Sequence, residues 1–201
     1  MYKLCKTEES SKRQRDIEAK LLSLMSVSNY DDISVSDLCD SMKMPRKAFY
    51  RYFDNKDGAL HALIDHTLMD FEHFNDEYEK KPTPTSKRLL KNELERFFLF
   101  WTLPEKKMLL DALERSNLTG LLIQSSVDFS NSSFVNPKKF LPDESDWMRT
   151  ELLRFAICGL MSVTLGWYRE GFVTDISDMA IAAARMLSKP LFPSLSKLGI
   201  E

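Results

Sequence analysis

The sequence predicts an all-α protein of about nine helices, because no strand-like alternation of polar and apolar residues persists along it. Only 6 Gly and 8 Pro occur among 201 residues, which leaves long uninterrupted runs of helix-forming residues. Apolar residues make up 43% of the chain, enough for a substantial core. We expect an N-terminal head, residues 1–57, and a larger helical domain, residues 58–201, linked by a helix from about 56 to 80.

The N-terminal segment predicts an arm followed by a helix. Residues 1–10 are typical of a frayed polar arm, and an amphipathic helix is expected from Ser11. Lys12, Arg13 and Arg15 then lie near the start of this helix, where cations oppose the helix dipole unless a phosphate lies nearby. A DNA-facing role and a solvated basic face both stay open for them.

The stretch 33–60 predicts two short helices joined by a tight turn. Ser34 is a good N-cap for the first helix, and Asp37 supplies the acidic residue that favours a helix start. Apolar residues then recur at helical spacing and give one buried face. Lys43 lies in the turn, and Pro45 opens the second helix, where its missing N–H costs nothing.

The second of these helices, 46–53, separates an apolar face from a polar one. Phe49 and Phe53 are four residues apart and therefore face inward together. Two cations and two phenols on the opposite face suit a helix laid into the major groove of DNA. The residues that face outward are Arg46, Lys47, Ala48, Tyr50 and Tyr52.

At these residues the chain resembles the helix-turn-helix of the TetR family of transcription regulators. The segment AFYRYFDNKDGAL, residues 48–60, is similar to the most recognisable signature of that family, and the resemblance extends upstream through NYDDISVSDLCDSMKM. Asn29 and Lys43 stand where glycine is common, and Pro45 replaces the usual polar cap. The resemblance implies an operator-binding head followed by a helical effector and dimerisation domain.

Eight residues are the DNA-contact candidates. We predict that Arg46, Lys47, Ala48 and Ser36 face bases. We predict that Ser34, Tyr50, Tyr52 and Lys56 make phosphate or positioning contacts, of which the last three follow from the resemblance. Partly buried rings at the helix junction are the alternative for the two tyrosines. The first 57 residues carry 11 Lys and Arg against 10 Asp and Glu, so DNA binding must depend on a local patch.

The second half of the chain predicts five further helices. A Pro-rich break at 81–87 is the best internal boundary, and Asn117 and Gly171 mark turns. The helices are expected over 86–101, 104–116 and 118–129, then from 143 or 145 to 169, and from 175 or 177 to 190. The arrangement CGLMSVTLGWYREGF, residues 158–172, is similar to the end of the penultimate helix of TetR-type proteins. It implies a homodimer through the last two helices and a palindromic operator.

An effector site is predicted between residues 97 and 168. Its aromatic and Met-rich composition indicates a small apolar or aromatic, planar compound, although core packing explains the same residues equally well. The candidate lining residues are Phe97, Phe98, Trp101, Met108, Phe129, Met161 and Trp167.

Other function classes find less support. His66, Asp70 and His73 share one helix face and could ligate a metal, but a solvated polar face is the favoured interpretation, and no metal or cofactor is predicted. The chain has no phosphate-binding glycine loop and no nucleophile elbow, so we expect no enzyme. The run 155–168 is too short for a bilayer, and three widely spaced cysteines indicate reduced thiols in the cytoplasm.

The sequence therefore predicts a cytoplasmic, ligand-responsive DNA-binding regulator, most simply a repressor. A TetR-like protein that acts through protein contacts without DNA is the alternative.

Overall fold

The structure is a computed structural model that describes residues 1–76, 86–130 and 143–188. These ranges contain nine α-helices and one isolated β-bridge, between Tyr2 and Phe53, so the all-α prediction is confirmed. None of the helices described is long and apolar enough to cross a membrane. The helices are α1 (Glu8–Met25), α2 (Val35–Ser41), α3 (Arg46–Phe49), α4 (Lys56–Asp76), α5 (Ser86–Thr102), α6 (Pro104–Arg115), α7 (Thr119–Ser130), α8 (Asp146–Arg169) and α9 (Ile176–Ser188).

The helix boundaries predicted for the second half of the chain agree closely with those of the structure. Ser145 caps α8, Asn117 adopts φ 56° before α7, and Gly171 adopts φ 77° after α8. The end of the linking helix near residue 80 and most of the break at 81–87 lie outside the described residues. The division between the two predicted domains stays a prediction.

The start of α1 differs from the prediction, because Thr7 caps the helix. The Thr7 hydroxyl accepts a hydrogen bond from the N–H of Ser10, and the Ser10 hydroxyl accepts one from the N–H of Thr7. Glu8 and Glu9 fill the first turn, where their charge complements the helix dipole. The basic residues of α1 lie beyond this turn, so the expected conflict with the dipole does not arise.

Two buried clusters form the core. The larger one is continuous from Leu21 of α1, through Phe49 and Phe53 below the helix-turn-helix, to Met161 of α8. The smaller one joins α5, the end of α8 and α9, with the rings of Phe98 and Trp167 in edge contact at 5.6 Å between centroids. The residues of the smaller cluster are Leu94, Phe98, Trp167, Ala180 and Ala183.

Charged side chains tie α1 to α4 and α6. The Nδ1 atom of His66 on α4 lies 2.9 Å from a carboxylate oxygen of Glu18, which is 1% exposed on α1. Burial raises the pKa of Glu18, and the hydrogen bond from His66 opposes this rise. Asp70 of α4 accepts hydrogen bonds from Arg15 of α1 at 3.0 Å and from Lys106 of α6 at 3.1 Å.

Replacing His66 should destabilise the fold in a pH-dependent way. His66→Ala leaves the Glu18 carboxylate buried without its partner, which costs about 3–5 kcal/mol near neutral pH. Because the folded state then binds a proton to Glu18 more tightly than the unfolded chain does, stability should recover as the pH falls from 8 towards 5. Urea unfolding at several pH values measures this effect.

His61→Ala is the matched control, since His61 is an exposed histidine on the same helix. It should change the free energy of unfolding by no more than about 0.5 kcal/mol. If His66→Ala lowered the free energy of unfolding by the same amount at every pH, the Glu18 charge would not have the role proposed for it.

Candidate functional site

The first helix of the helix-turn-helix is fixed at its start by a reciprocal cap. The Ser34 hydroxyl accepts a hydrogen bond from the N–H of Asp37 at 3.1 Å, and the Asp37 carboxylate accepts one from the N–H of Ser34 at 2.8 Å. Hydrogen bonds from Ser34 lower the pKa of Asp37, because they favour the ionised carboxylate. The prediction of Ser34 as the N-cap is confirmed.

The turn after α2 is a Schellman motif, which requires a left-handed residue at Lys43. The N–H of Met44 bonds to the carbonyl of Cys39 at 3.0 Å, and the N–H of Lys43 bonds to that of Asp40 at 3.1 Å. Lys43 accordingly has φ 50°, which glycine adopts more readily. Asn29, the other position where glycine is common in the TetR family, has φ −65° and needs no such freedom.

The second helix, α3, is shorter than predicted. Regular helix covers only Arg46–Phe49, and the chain reaches Phe53 through a looser turn in which the N–H of Tyr52 bonds to the carbonyl of Phe49. Pro45 is the N-cap residue rather than the first helical residue. Phe49 and Phe53 are fully buried with ring centroids 5.2 Å apart, so the predicted inward face is confirmed.

The outward face of α3 is available to a ligand. Arg46 and Lys47 are exposed, whereas Ala48 and Ser36 are half-buried. The exposed Arg13 of α1 contacts the turn before α3, because its guanidinium reaches the sulfur of Met44 at 3.9 Å. Exposed cations thus lie on α3 and at the turn that precedes it.

The two tyrosines of α3 and its following turn differ in environment. Tyr50 is exposed, and its ring meets that of Phe49 edge-on at 5.4 Å. Tyr52 is half-buried and packs against the core beside Phe53. The alternative of a partly buried ring at the helix junction therefore describes Tyr52 better than Tyr50.

Lys56, at the start of α4, is held by Tyr30. Its ammonium donates a hydrogen bond to the Tyr30 carbonyl at 2.6 Å and lies 4.1 Å from the centroid of the Tyr30 ring. The Tyr30 hydroxyl in turn donates to Asp57 at 2.7 Å. Burial and this hydrogen bond raise the pKa of Tyr30. Lys56 thus has a structural role in the chain itself, and its predicted phosphate contact stays a prediction.

The N-terminal arm is docked rather than frayed, which sequence reasoning missed. The N–H of Lys3 bonds to the carbonyl of Tyr52 at 2.9 Å, and the Lys3 ammonium donates to the carbonyl of Tyr50 at 2.8 Å. The Tyr2 hydroxyl donates to Asp65 of α4 at 3.0 Å. Gly58 permits this docking, because a Cβ at that position would lie 2.4 Å from the carbonyl oxygen of Met1. A glycine at position 58 was the one sign of the docked arm in the sequence.

The face of α4 that carries His66 and Asp70 is occupied by charged partners, as described above. Among the described residues, no group of three or more His, Cys, Asp or Glu side chains could hold a metal ion. His73 is exposed on the same helix. His66 and Asp70, the first two residues of this face, therefore take part in helix packing.

The predicted effector residues divide between the two core clusters. Trp101 and Met161 are buried in the larger cluster, where Phe129 packs at the edge. Phe98 and Trp167 belong to the smaller cluster, and Phe97 packs against both. Met108 is partly exposed on α6. The structure thus places six of the seven candidates in two core clusters rather than around one point, and it leaves Met108 outside both.

Lys56 offers a prediction on stability. Lys56→Ala removes a charged hydrogen bond and the contact with the Tyr30 ring, and should lower the free energy of unfolding by about 1.5–3 kcal/mol in urea titrations. Lys47→Ala is the matched control, since Lys47 is exposed, and should change it by less than about 0.5 kcal/mol. Equal effects would show that the Tyr30 contacts contribute nothing.

No protein-family model and no curated protein matches the sequence. Solved structures do match. The dihydroxyacetone kinase operon activator DhaS shares 18% identity over 93% of this chain and 96% of its own, with a TM-score of 0.53. The fatty acid degradation regulator FadR from Bacillus halodurans shares 15% identity over 89% of this chain and 95% of its own, with a TM-score of 0.56.

A TetR/AcrR family transcriptional regulator from Thermobifida fusca shares 14% identity over 90% of this chain and 99% of its own, with a TM-score of 0.44. The chain therefore has the all-helical fold of DhaS and FadR, in agreement with the helical fold that the sequence resemblance implied.

Proposed function

We propose that this protein is a ligand-responsive, DNA-binding transcriptional regulator, a repressor that a small apolar or aromatic effector releases from its operator. The observation that carries the proposal is the exposed cationic face of α3, presented by a helix-turn-helix with a fixed cap and a fixed turn. Arg46 and Lys47 protrude from a helix whose other side is anchored by buried rings. Such an arrangement suits major-groove binding.

The position of the other candidates supports a wider DNA contact. Tyr50 is exposed next to α3, Lys43 is exposed in the turn, and Arg13 contacts Met44 at the end of that turn. Because the head as a whole is nearly neutral, phosphates would be attracted to this local group of cations rather than to the net charge. The three cysteines are free thiols, which fits the cytoplasmic location that a DNA regulator needs.

A homodimer through the last two helices is part of the proposal. Met148, Leu152 and Phe155 follow one another along an exposed face of α8, and α9 also exposes Ile181 and Met186. An exposed apolar face of this kind suits a second copy of the chain. A two-fold dimer would place two copies of α3 about 34 Å apart, one turn of DNA.

The function is tested by fluorescence anisotropy with DNA that flanks the gene for this protein, at two salt concentrations and with a panel of apolar aromatic compounds. We expect saturable binding that one compound releases. Arg46→Ala should weaken binding by about 1–3 kcal/mol and relax the preference at one base pair. Lys107→Ala, an exposed cation on α6, is the control and should leave binding unchanged.

Two outcomes would contradict this proposal. Equal losses for Arg46→Ala on every DNA sequence would show that Arg46 contacts only phosphate. Weak, sequence-independent and steeply salt-dependent binding would favour the alternative, a protein with this fold that acts through protein contacts.

The dimer is tested by charging its proposed interface. Phe155→Glu places a carboxylate on the α8 face, where Phe155 is 67% exposed, and should shift sedimentation equilibrium from dimer to monomer. Val27→Glu, an exposed apolar residue after α1, is the matched control and should stay dimeric. A wild-type protein that sediments as a monomer would refute this part of the proposal.

A further inference from the structure

One buried hydrogen-bond donor in the effector region has no acceptor. Trp101 of α5 is 1% exposed, and its indole Nε1–H makes no hydrogen bond to any described residue. Leaving a buried donor unpaired is costly, because its bond to water is lost and nothing replaces it. Such a group calls for a partner that the described part of the chain does not supply.

The other aromatic polar groups of the chain show that Trp101 is different. The indole N–H of the equally buried Trp167 donates to the Thr174 carbonyl at 3.0 Å. Trp147 is 68% exposed, so water reaches its indole. Three buried or half-buried tyrosine hydroxyls donate to a carboxylate, in the pairs Tyr2 with Asp65, Tyr30 with Asp57 and Tyr168 with Asp111.

The surroundings of Trp101 are aromatic. Its ring meets Phe100 edge-on at 5.3 Å and Phe97 at 6.5 Å between centroids. A cation lies over one of these rings: the ammonium of Lys106 is 5.0 Å from the centroid of Phe100 and is already bonded to Asp70. A charged acceptor would compete with Asp70 for this cation and would pay a high desolvation cost. A neutral acceptor carries no such cost.

A lone water is a poor substitute. A buried water normally needs two to four polar partners, and the contacting rings of Phe97 and Phe100 supply none. A flat ligand with one acceptor atom can instead bury its apolar faces against Phe97 and Phe100 while it accepts from the indole.

We infer that Trp101 Nε1–H donates a hydrogen bond to the effector, and that the effector is a neutral, flat aromatic compound with an oxygen or nitrogen acceptor on its ring system. This inference rests on the proposed function, because it specifies the compound class that the proposed regulator senses. Purely hydrocarbon effectors and aromatic carboxylates bind less well on this view.

The test uses two probes that differ by one carbonyl, fluorenone and fluorene, in equilibrium binding to the full chain without DNA. Native protein should bind fluorenone about five- to tenfold more tightly, the worth of one hydrogen bond. Replacing Trp101 by benzothienylalanine, which keeps the ring shape and removes the N–H, should abolish this preference. Trp101→Phe should also abolish the preference for fluorenone, provided that thermal unfolding shows that this variant is folded.

Benzothienylalanine at Trp147 is the matched control and should keep the carbonyl preference, since that exposed indole faces water. A preference that survives the change at Trp101, equal binding of the two probes, or no binding of either would each overturn the inference. DNA binding is measured separately. Native protein that binds its operator but fails the probe test refutes only the inference, whereas lost operator binding refutes the proposed function.

Discussion

Ionic hydrogen bonds along α4 determine how α1 and α6 pack against it. Glu18 is buried, and its carboxylate is satisfied only while His66 stays within hydrogen-bond reach. A slip of α1 along α4 would leave that charge unpaired in the core, which is far more costly than a slip between apolar surfaces. Asp70, one helical turn further on, adds a weaker, partly exposed contact with Arg15. The orientation of the helix-turn-helix therefore depends on the contacts of α1 with α4.

The same helix also connects this head with the effector region. Asp70 accepts a hydrogen bond from Lys106, whose ammonium lies over the Phe100 ring, and Phe100 meets Trp101 edge-on. In the proposed regulator, a ligand that packs against Phe100 would act on Lys106 and Asp70 through these contacts. Coupling between two sites is typically about 1–3 kcal/mol, within the range of one partly buried ionic hydrogen bond.

Features with local causes could be predicted from the sequence. The cap at Ser34, the paired rings of Phe49 and Phe53 and the turn at Gly171 each depend on residues within one or two helical turns. The periodicity of apolar residues located nearly every helix for the same reason. The start of α1 was missed because Thr7 and Ser10 make a less familiar reciprocal cap than a serine with an acidic residue.

Partners that are distant in the chain could not be predicted. The spacing of His66 and Asp70 showed that they share a face, but not that α1 would place charged residues opposite them. The aromatic run of α5 indicated burial, yet a dry core and a ligand site have the same composition. What separates them is whether each buried polar atom finds an acceptor, which depends on packing. Among the described residues, the indole N–H of Trp167 has an acceptor and that of Trp101 has none. The sequence alone did not distinguish these two tryptophans.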